Sequence, residues 1–163
     1  MKTLYFVRHA KSSWEAGTIA DMDRPLNEKG IQDAAQSAQF LRDQAQFPEL
    51  LLSSPANRAI HTALIFTRTL SIPYSSLNIY GELYSGSLKD IEILIRSLPQ
   101  DISSAMLFGH NPTFTDFVNR CLDHRIDKLP TTGIVGLRFK TQNWDTIEFQ
   151  AELLFIDYPK KRK

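Results

Sequence analysis

Three short apolar runs limit what this chain can fold into: Leu4-Tyr5-Phe6-Val7, Leu50-Leu51-Leu52 and Ala105-Met106-Leu107-Phe108. Each reads as a buried strand, and each gives way to polar residues and then to apolar residues at helical spacing. Strands that alternate with helices in this way lie side by side in parallel, with helices on both faces. The expected fold class is α/β: a three-layer α/β/α sandwich with a mostly parallel central sheet and an antiparallel edge strand.

The elements follow in order. After the first strand, Lys11 to Pro25 is a long polar connection containing Gly17 and the run Asp21-Met22-Asp23-Arg24-Pro25. Long connections in compact domains are often functional. Asn27 reads as the N-cap of a helix over 27–46, with Ile31, Ala34, Ala35, Ala38, Leu41 and Ala45 on its buried face. Ser54 and Pro55 read as the N-cap and first position of a second helix, with Ala59, Ala63, Phe66 and Leu70 buried. Ser76 to Tyr80 is a weaker strand, and Gly81 to Gly86 a loop. Leu88 to Leu98 is a third helix. Asn111 and Pro112 open a fourth, with Phe114, Phe117, Val118, Cys121 and Leu122 toward the core. Ile134 to Phe139 is a strand, and the alternation from Asp145 to Phe155 predicts an antiparallel edge or hairpin strand. These assignments make residues 1–158 one domain, followed by a basic tail, 159–163.

Composition excludes several classes. The chain has 163 residues, net charge +1 and one cysteine, Cys121. No global field points to nucleic acid, and neither an internal disulfide nor a cysteine-rich metal site is possible. No apolar run reaches the length of a membrane span. Met1-Lys2-Thr3-Leu4 lacks the features of a signal peptide, so a cytoplasmic location is expected.

The unusual polar residues cluster at one kind of position. Arg8-His9, Ser53-Ser54-Pro55 with Arg58, Glu82, and Gly109-His110 each follow a strand. In a parallel sheet those ends share one rim, where ligands bind. Arg58 lies in the first turn of its helix, an unfavourable place for a cation unless an anion is held there. Two arginines, two histidines and two helix ends describe a site for a phosphate-like dianion. The histidines could be phosphate acceptors, metal ligands or acid/base groups. A cation beside two arginines would be repelled, which disfavours metal. A neutral histidine can attack phosphorus directly. A carboxylic acid on the same rim could protonate a leaving oxygen, and Glu82 is the best-placed candidate.

These residues carry a family resemblance. Leu4 to Ala10 resembles the Arg-His-Gly signature of the histidine phosphatase (phosphoglycerate mutase-like) superfamily. Asp23-Arg24-Pro25-Leu26-Asn27-Glu28-Lys29-Gly30 is similar to its next block. Ser53 to Ala63 resembles its Ser-Pro-x-x-Arg-Ala-x-x-Thr-Ala block, and Gly109-His110-Asn111-Pro112 its second-histidine block. The Arg-His-Ala-Lys-Ser-Ser-Trp start and the Asp-x-Asp-Arg-Pro-Leu block are most similar to the SixA-like phosphohistidine phosphatase branch.

The resemblance implies a metal-independent phosphatase with no cofactor. His9 would be the nucleophile that becomes phosphorylated, Arg8 and Arg58 would bind the phosphoryl oxygens, and His110 would bond the same group and stabilise its charge. Glu82 would be the proton donor. Ala10 replaces the usual glycine. Glu15 stands where mutase relatives tend to carry a phosphate-contacting asparagine, which argues against a mutase. The implied substrate is phosphohistidine on a protein. The alternatives are a small phosphate ester, or a non-catalytic phosphate- or phosphoprotein-binding module. Neither nucleic acid nor membrane is an expected partner, and the oligomeric state is open.

Plainer readings stand beside several of these. Glu82 can be a loop carboxylate paired to Lys89 or Arg58. Asp21 and Asp23 read as solvated loop residues. Trp14 either flanks the site or packs half-buried. His61 reads as structural, Cys121 as an inert core residue, and Lys160 to Lys163 as a solvated tail.

Overall fold

The computed structural model describes residues 1–14 and 19–162. Its strands are β1 (Lys2–Arg8), β2 (Leu50–Ser53), β3 (Leu77–Ile79), β4 (Ser104–Gly109), β5 (Ile134–Phe139) and β6 (Glu152–Asp157). They form one sheet in the order β3-β2-β4-β1-β5-β6. The four strands from β3 to β1 are parallel; β5 runs antiparallel to both of its neighbours. The helices are α1 (Glu28–Asp43), α2 (Asn57–Thr69), α3 (Glu82–Ser85), α4 (Leu88–Arg96) and α5 (Thr113–Cys121).

Strand alternation divides the core in two. Leu4 and Phe6, with Leu52, Leu107 and Val135, face α4 and α5 through Ile91, Ile95, Phe114 and Phe117. Tyr5 and Val7, with Leu51, Met106 and Phe108, face α1 and α2 through Ala34, Ala38, Leu41, Ala63 and Phe66. The mixed sheet with helices on both faces is the expected α/β architecture. Among the described residues, no helix is long and apolar enough to cross a membrane.

The structure corrects several local expectations. On α1, Ala34, Ala38 and Leu41 are buried, but Ile31, Ala35 and Ala45 are exposed. Gly30, Asp33 and Ser37 complete the inward stripe instead. Ile31 and Ala35 lie one column round the helix, and Ala45 lies beyond its end with φ 55°. Helix α2 starts at Asn57, with Ala56 as N-cap. Ser54 is no cap, because its hydroxyl accepts from the Ala56 N–H at 3.1 Å in a tight turn before the helix. Helix α5 also starts late, by one residue, after Pro112. Asn111 still serves that helix end, since its Oδ1 accepts from the Thr115 N–H at 3.2 Å. Residues 82–85 form a helical turn rather than loop.

The strand expected from Asp145 forms only at Glu152. Trp144 and Ile147 drop into the core instead, and the Trp144 indole N–H donates to the Ile102 carbonyl at 3.0 Å. At the C-terminus, Pro159–Arg162 is a 3-10 turn. Arg162 ties it back to Asp157 and, at 2.8 Å, to Ser37. The basic run to residue 162 is thus anchored, not a free tail; Lys163 lies outside the described residues.

The register sets the ends of the central strands level. Arg8 pairs with Gly109 and Ser53 with Phe108. One residue further on, the His9 N–H donates to the Gly109 carbonyl at 3.1 Å and the Ser54 N–H to the Phe108 carbonyl at 2.9 Å. This rim carries the site.

Candidate active site

Arg8 ends β1 and His9 follows it; His110 follows β4; Arg58 is the second residue of α2. All four line one cleft of about 650 Å³. The topology thus brings together residues up to a hundred positions apart in sequence.

The His9 ring is held in one orientation. Its Nδ1 lies 2.7 Å from the Ala10 carbonyl. A carbonyl only accepts, so Nδ1 carries the proton and Nε2 keeps its lone pair. That Nε2 faces the Arg58 Nε–H, 3.4 Å away. The Ala10 N–H donates to the Thr62 hydroxyl at 3.0 Å, and that hydroxyl donates to the Arg58 carbonyl at 2.7 Å. Helix α2 therefore steadies both the nucleophile candidate and the arginine.

Thr132 secures the backbone from the other side. Its N–H is shared between the carbonyls of Arg8, at 3.0 Å, and His9, at 3.1 Å. Thr132 has φ 61°, a left-handed conformation that costs a β-branched residue free energy. Strain of this kind persists where the surroundings over-determine it, often beside a functional group.

Both histidines are neutral at pH 7. Burial is the largest cause, and it lowers the His9 pKa to about 4; the Arg58, Arg8 and Arg24 charges lower it further. The His110 pKa falls to about 3, again chiefly through burial, with His9 and the arginines adding to it. The ring centroids are 5.1 Å apart. One His110 nitrogen, Nε2, is bonded to the Ser54 hydroxyl at 2.8 Å. Arg8 gives one Nη to the Leu129 carbonyl at 3.0 Å, and its Nε is buried with no partner. An unsatisfied buried N–H beside the cleft is a donor waiting for an acceptor.

Reasoning from strand ends does not find three further residues that line the cleft: Asp21, Arg24 and Tyr84. Arg58 donates to the Asp21 carbonyl at 2.8 Å and to its carboxylate at 3.1 Å. The same carboxylate accepts from Arg24 at 3.1 Å and from the Tyr84 hydroxyl at 2.7 Å. The Tyr84 hydrogen bond is the largest cause holding the Asp21 carboxyl near pKa 2, followed among the lowering effects by the two arginines. Asp21 is exposed, as expected, but its carboxylate is bonded to Arg58, Arg24 and Tyr84 and does not stand free in solvent. The only sequence signal for it was the polar run around Arg24 in an over-long connection.

Glu82 heads α3, exposed, and is not among the residues lining the cleft. Among the described residues it forms no salt bridge with Lys89 or Arg58. Trp14 is 79% exposed and lines the cleft, with the Arg24 guanidinium 3.2 Å over its ring. His61 is half-buried on α2 and outside the cleft. Burial pushes the Cys121 thiol up to about 12, which leaves it unreactive. Glu15 lies outside the described residues. Among the described residues, no three His, Cys, Asp or Glu side chains group as a metal site.

The arrangement suits a phosphoryl group. A neutral imidazole lone pair faces a pocket walled by guanidinium donors, with a second imidazole beside it.

Comparison with known proteins agrees. The family model for the histidine phosphatase superfamily (branch 1) matches residues 4–124. An uncharacterized chloroplastic protein of Arabidopsis thaliana is 29% identical over 152 residues, which is 88% of this chain and 69% of that protein. A crystal structure assigned to the phosphohistidine phosphatase SixA of Agrobacterium tumefaciens superposes with a TM-score of 0.81 at 27% identity, covering 97% of this chain and 98% of that one. The protein histidine phosphatase SixA complexed with tungstate superposes at 0.86, covering 99% of each chain; at 21% identity that likeness is one of fold. Since the matched span holds Arg8, His9, Arg58 and His110, and the fold gathers all four in one cleft, the chain belongs to the histidine phosphatase superfamily.

Proposed function

We propose that this protein is a phosphatase that works through a phosphohistidine on His9, with phosphohistidine of a protein as its substrate class. Family membership supports a phosphatase. The observation that carries the finer reading is the His9 tautomer: Nδ1–H is committed to Ala10, so the Nε2 lone pair faces the cleft.

In the first half-reaction His9 Nε2 attacks phosphorus in line. An N–P bond forms as the bond to the leaving group breaks, and the leaving imidazole, already protonated on its other nitrogen, keeps the bonding pair and departs as the neutral ring. Arg8, Arg58 and His110 hold the phosphoryl oxygens and stabilise the charge that spreads over them. In the second half-reaction water attacks the phospho-His9, releasing inorganic phosphate and restoring the neutral ring. A protonated imidazole leaves readily, so the reaction asks no proton of Glu82, which stands outside the cleft. An alkoxide leaving group would need such help.

The protein substrate is supported by the likeness to the SixA-assigned structure and by the exposed Trp14 on the cleft wall, an aromatic platform for a polypeptide. Acid-labile, base-stable labelling of the protein during turnover, lost in His9→Ala, tests the mechanism. A His9→Ala protein that turns over at the wild-type rate overturns it. Rates on a phosphohistidine peptide against sugar phosphates test the substrate class.

A further inference from the structure

A second pocket, of about 280 Å³, adjoins the catalytic cleft and shares Lys11 and Thr131 with it. Lys29, Asp33, Tyr158 and Lys160 also line it. Three lysines and one aspartate thus line it, in a chain whose total net charge is only +1. The carboxylate is already committed: Lys29 donates to the buried Asp33 at 2.8 Å. The ammonium groups of Lys11 and Lys160 and the hydroxyl of Tyr158 have no protein partner among the described residues.

These donors stand on anchored backbone. The Lys11 carbonyl accepts the Asn27 N–H at 3.0 Å, and Gly30 packs directly against it. Lys160 lies in the 3-10 turn that Arg162 ties to Ser37 and Asp157, while Lys161 donates to the Ile156 carbonyl at 2.7 Å. The anchored backbone keeps Lys11 and Lys160 at the edge of the pocket. The volume suits a single side chain better than a nucleotide or sugar phosphate, which would need the larger pockets usual for such ligands. The shared residues place that position next to the phosphoryl site.

We propose that this pocket is a second anion subsite, which takes the carboxylate of an Asp or Glu side chain of the phosphorylated protein while the phosphohistidine lies over His9. The proposal rests on the reading of function above and adds a rule to it. The enzyme selects among phosphohistidine proteins by an acidic residue near the modified histidine.

The test uses two short peptides, each carrying one histidine phosphorylated with phosphoramidate. One has glutamates around the histidine, the other glutamines. One charge-assisted hydrogen bond is worth roughly a tenfold preference in kcat/KM for the glutamate peptide. That preference falls with added salt. Lys160→Ala reduces it and Lys160→Glu removes or reverses it, while both variants keep wild-type turnover of p-nitrophenyl phosphate, which also shows that they fold. Equal rates on the two peptides, or a preference unchanged in Lys160→Glu, overturn the subsite alone. Turnover of the aryl phosphate with neither peptide hydrolysed overturns the protein-substrate reading, and the subsite with it. A preference reproduced by free glutamate acting as an inhibitor in the same range assigns the pocket to a small anion and overturns the polypeptide ligand.

Discussion

Arg58 gives both ends of its fork to Asp21, one to the main-chain carbonyl at 2.8 Å and one to the carboxylate at 3.1 Å, so that its Nε alone points at His9 Nε2. The carboxylate is held in turn by Arg24 and Tyr84. Asp21 thus aims the arginine that faces the nucleophile. With its carboxyl held near pKa 2, it keeps its charge through any ordinary working range. Asp21→Asn removes that charge at constant shape. Hydrogen bonds to charged groups contribute roughly 1.5–3 kcal/mol, so kcat/KM falls about tenfold or more. The inhibition constant of inorganic phosphate rises in parallel. Tighter phosphate binding in Asp21→Asn would mean that the carboxylate competes with the phosphoryl group rather than aiming Arg58.

The buried histidines predict how activity and stability depend on pH. A nucleophile with pKa about 4 stays neutral far below the ordinary histidine value. The acid limb of kcat/KM set by His9 therefore lies below pH 5; a limb near 6.5 argues against the neutral, buried ring. Stability behaves differently. The folded-state pKa values of His9 and His110 lie below the unfolded value, so the unfolded chain binds protons first as pH falls. This contribution is fully present above about 6.5 and declines as pH drops toward 4 and then 3. Thermal denaturation without phosphate shows Tm falling from pH 7 to pH 5, and His110→Gln flattens that slope.

Glu82 and Tyr84 are two residues apart and differ in their relation to the cleft. Exposed substitutions away from a site usually shift stability by under about 0.5 kcal/mol. Glu82→Gln therefore leaves phosphohistidine hydrolysis within about twofold of wild type. Tyr84→Phe removes the shortest bond to Asp21 and lowers kcat/KM in the same direction as Asp21→Asn, by less. Steady-state rates for the two variants on one phosphohistidine peptide decide the point. A large loss in Glu82→Gln would restore the carboxylate as a proton donor.

Gly30 sits where a Cβ would run into the Lys11 carbonyl oxygen, a main-chain atom that cannot swing aside. Gly30→Ala therefore forces α1 and the segment after His9 apart. Overpacking of this kind costs about 1–3 kcal/mol. A chain of this size loses about 2–4 °C in Tm for each kcal/mol. Calorimetry reads the loss directly, and an unchanged Tm would show that the helix start yields freely.

What the sequence determined by itself rests on local physics. Apolar runs at strand length, helical spacing behind them and polar residues directly after them are written along the chain. They were enough for the α/β architecture and for Arg8, His9, Arg58 and His110 on one rim, since parallel strands align their ends. Expectations failed where a local preference met a tertiary demand. Ser54 has a cap's chemistry, but its hydroxyl is claimed by the Ala56 N–H and by His110. Residues 145–151 alternate like a strand, yet Trp144 and Ile147 gain more by filling the core. Asp21 looked merely solvated because only one of its partners, Arg24, is near in sequence; Arg58 and Tyr84 lie 37 and 63 residues away. Only the tertiary structure decided that, among the described residues, Asp21 lines the cleft and Glu82 does not, and which His9 nitrogen faces Arg58. Hydrogen-bond partners across the fold depend on where loops come to rest, and periodicity carries no record of that.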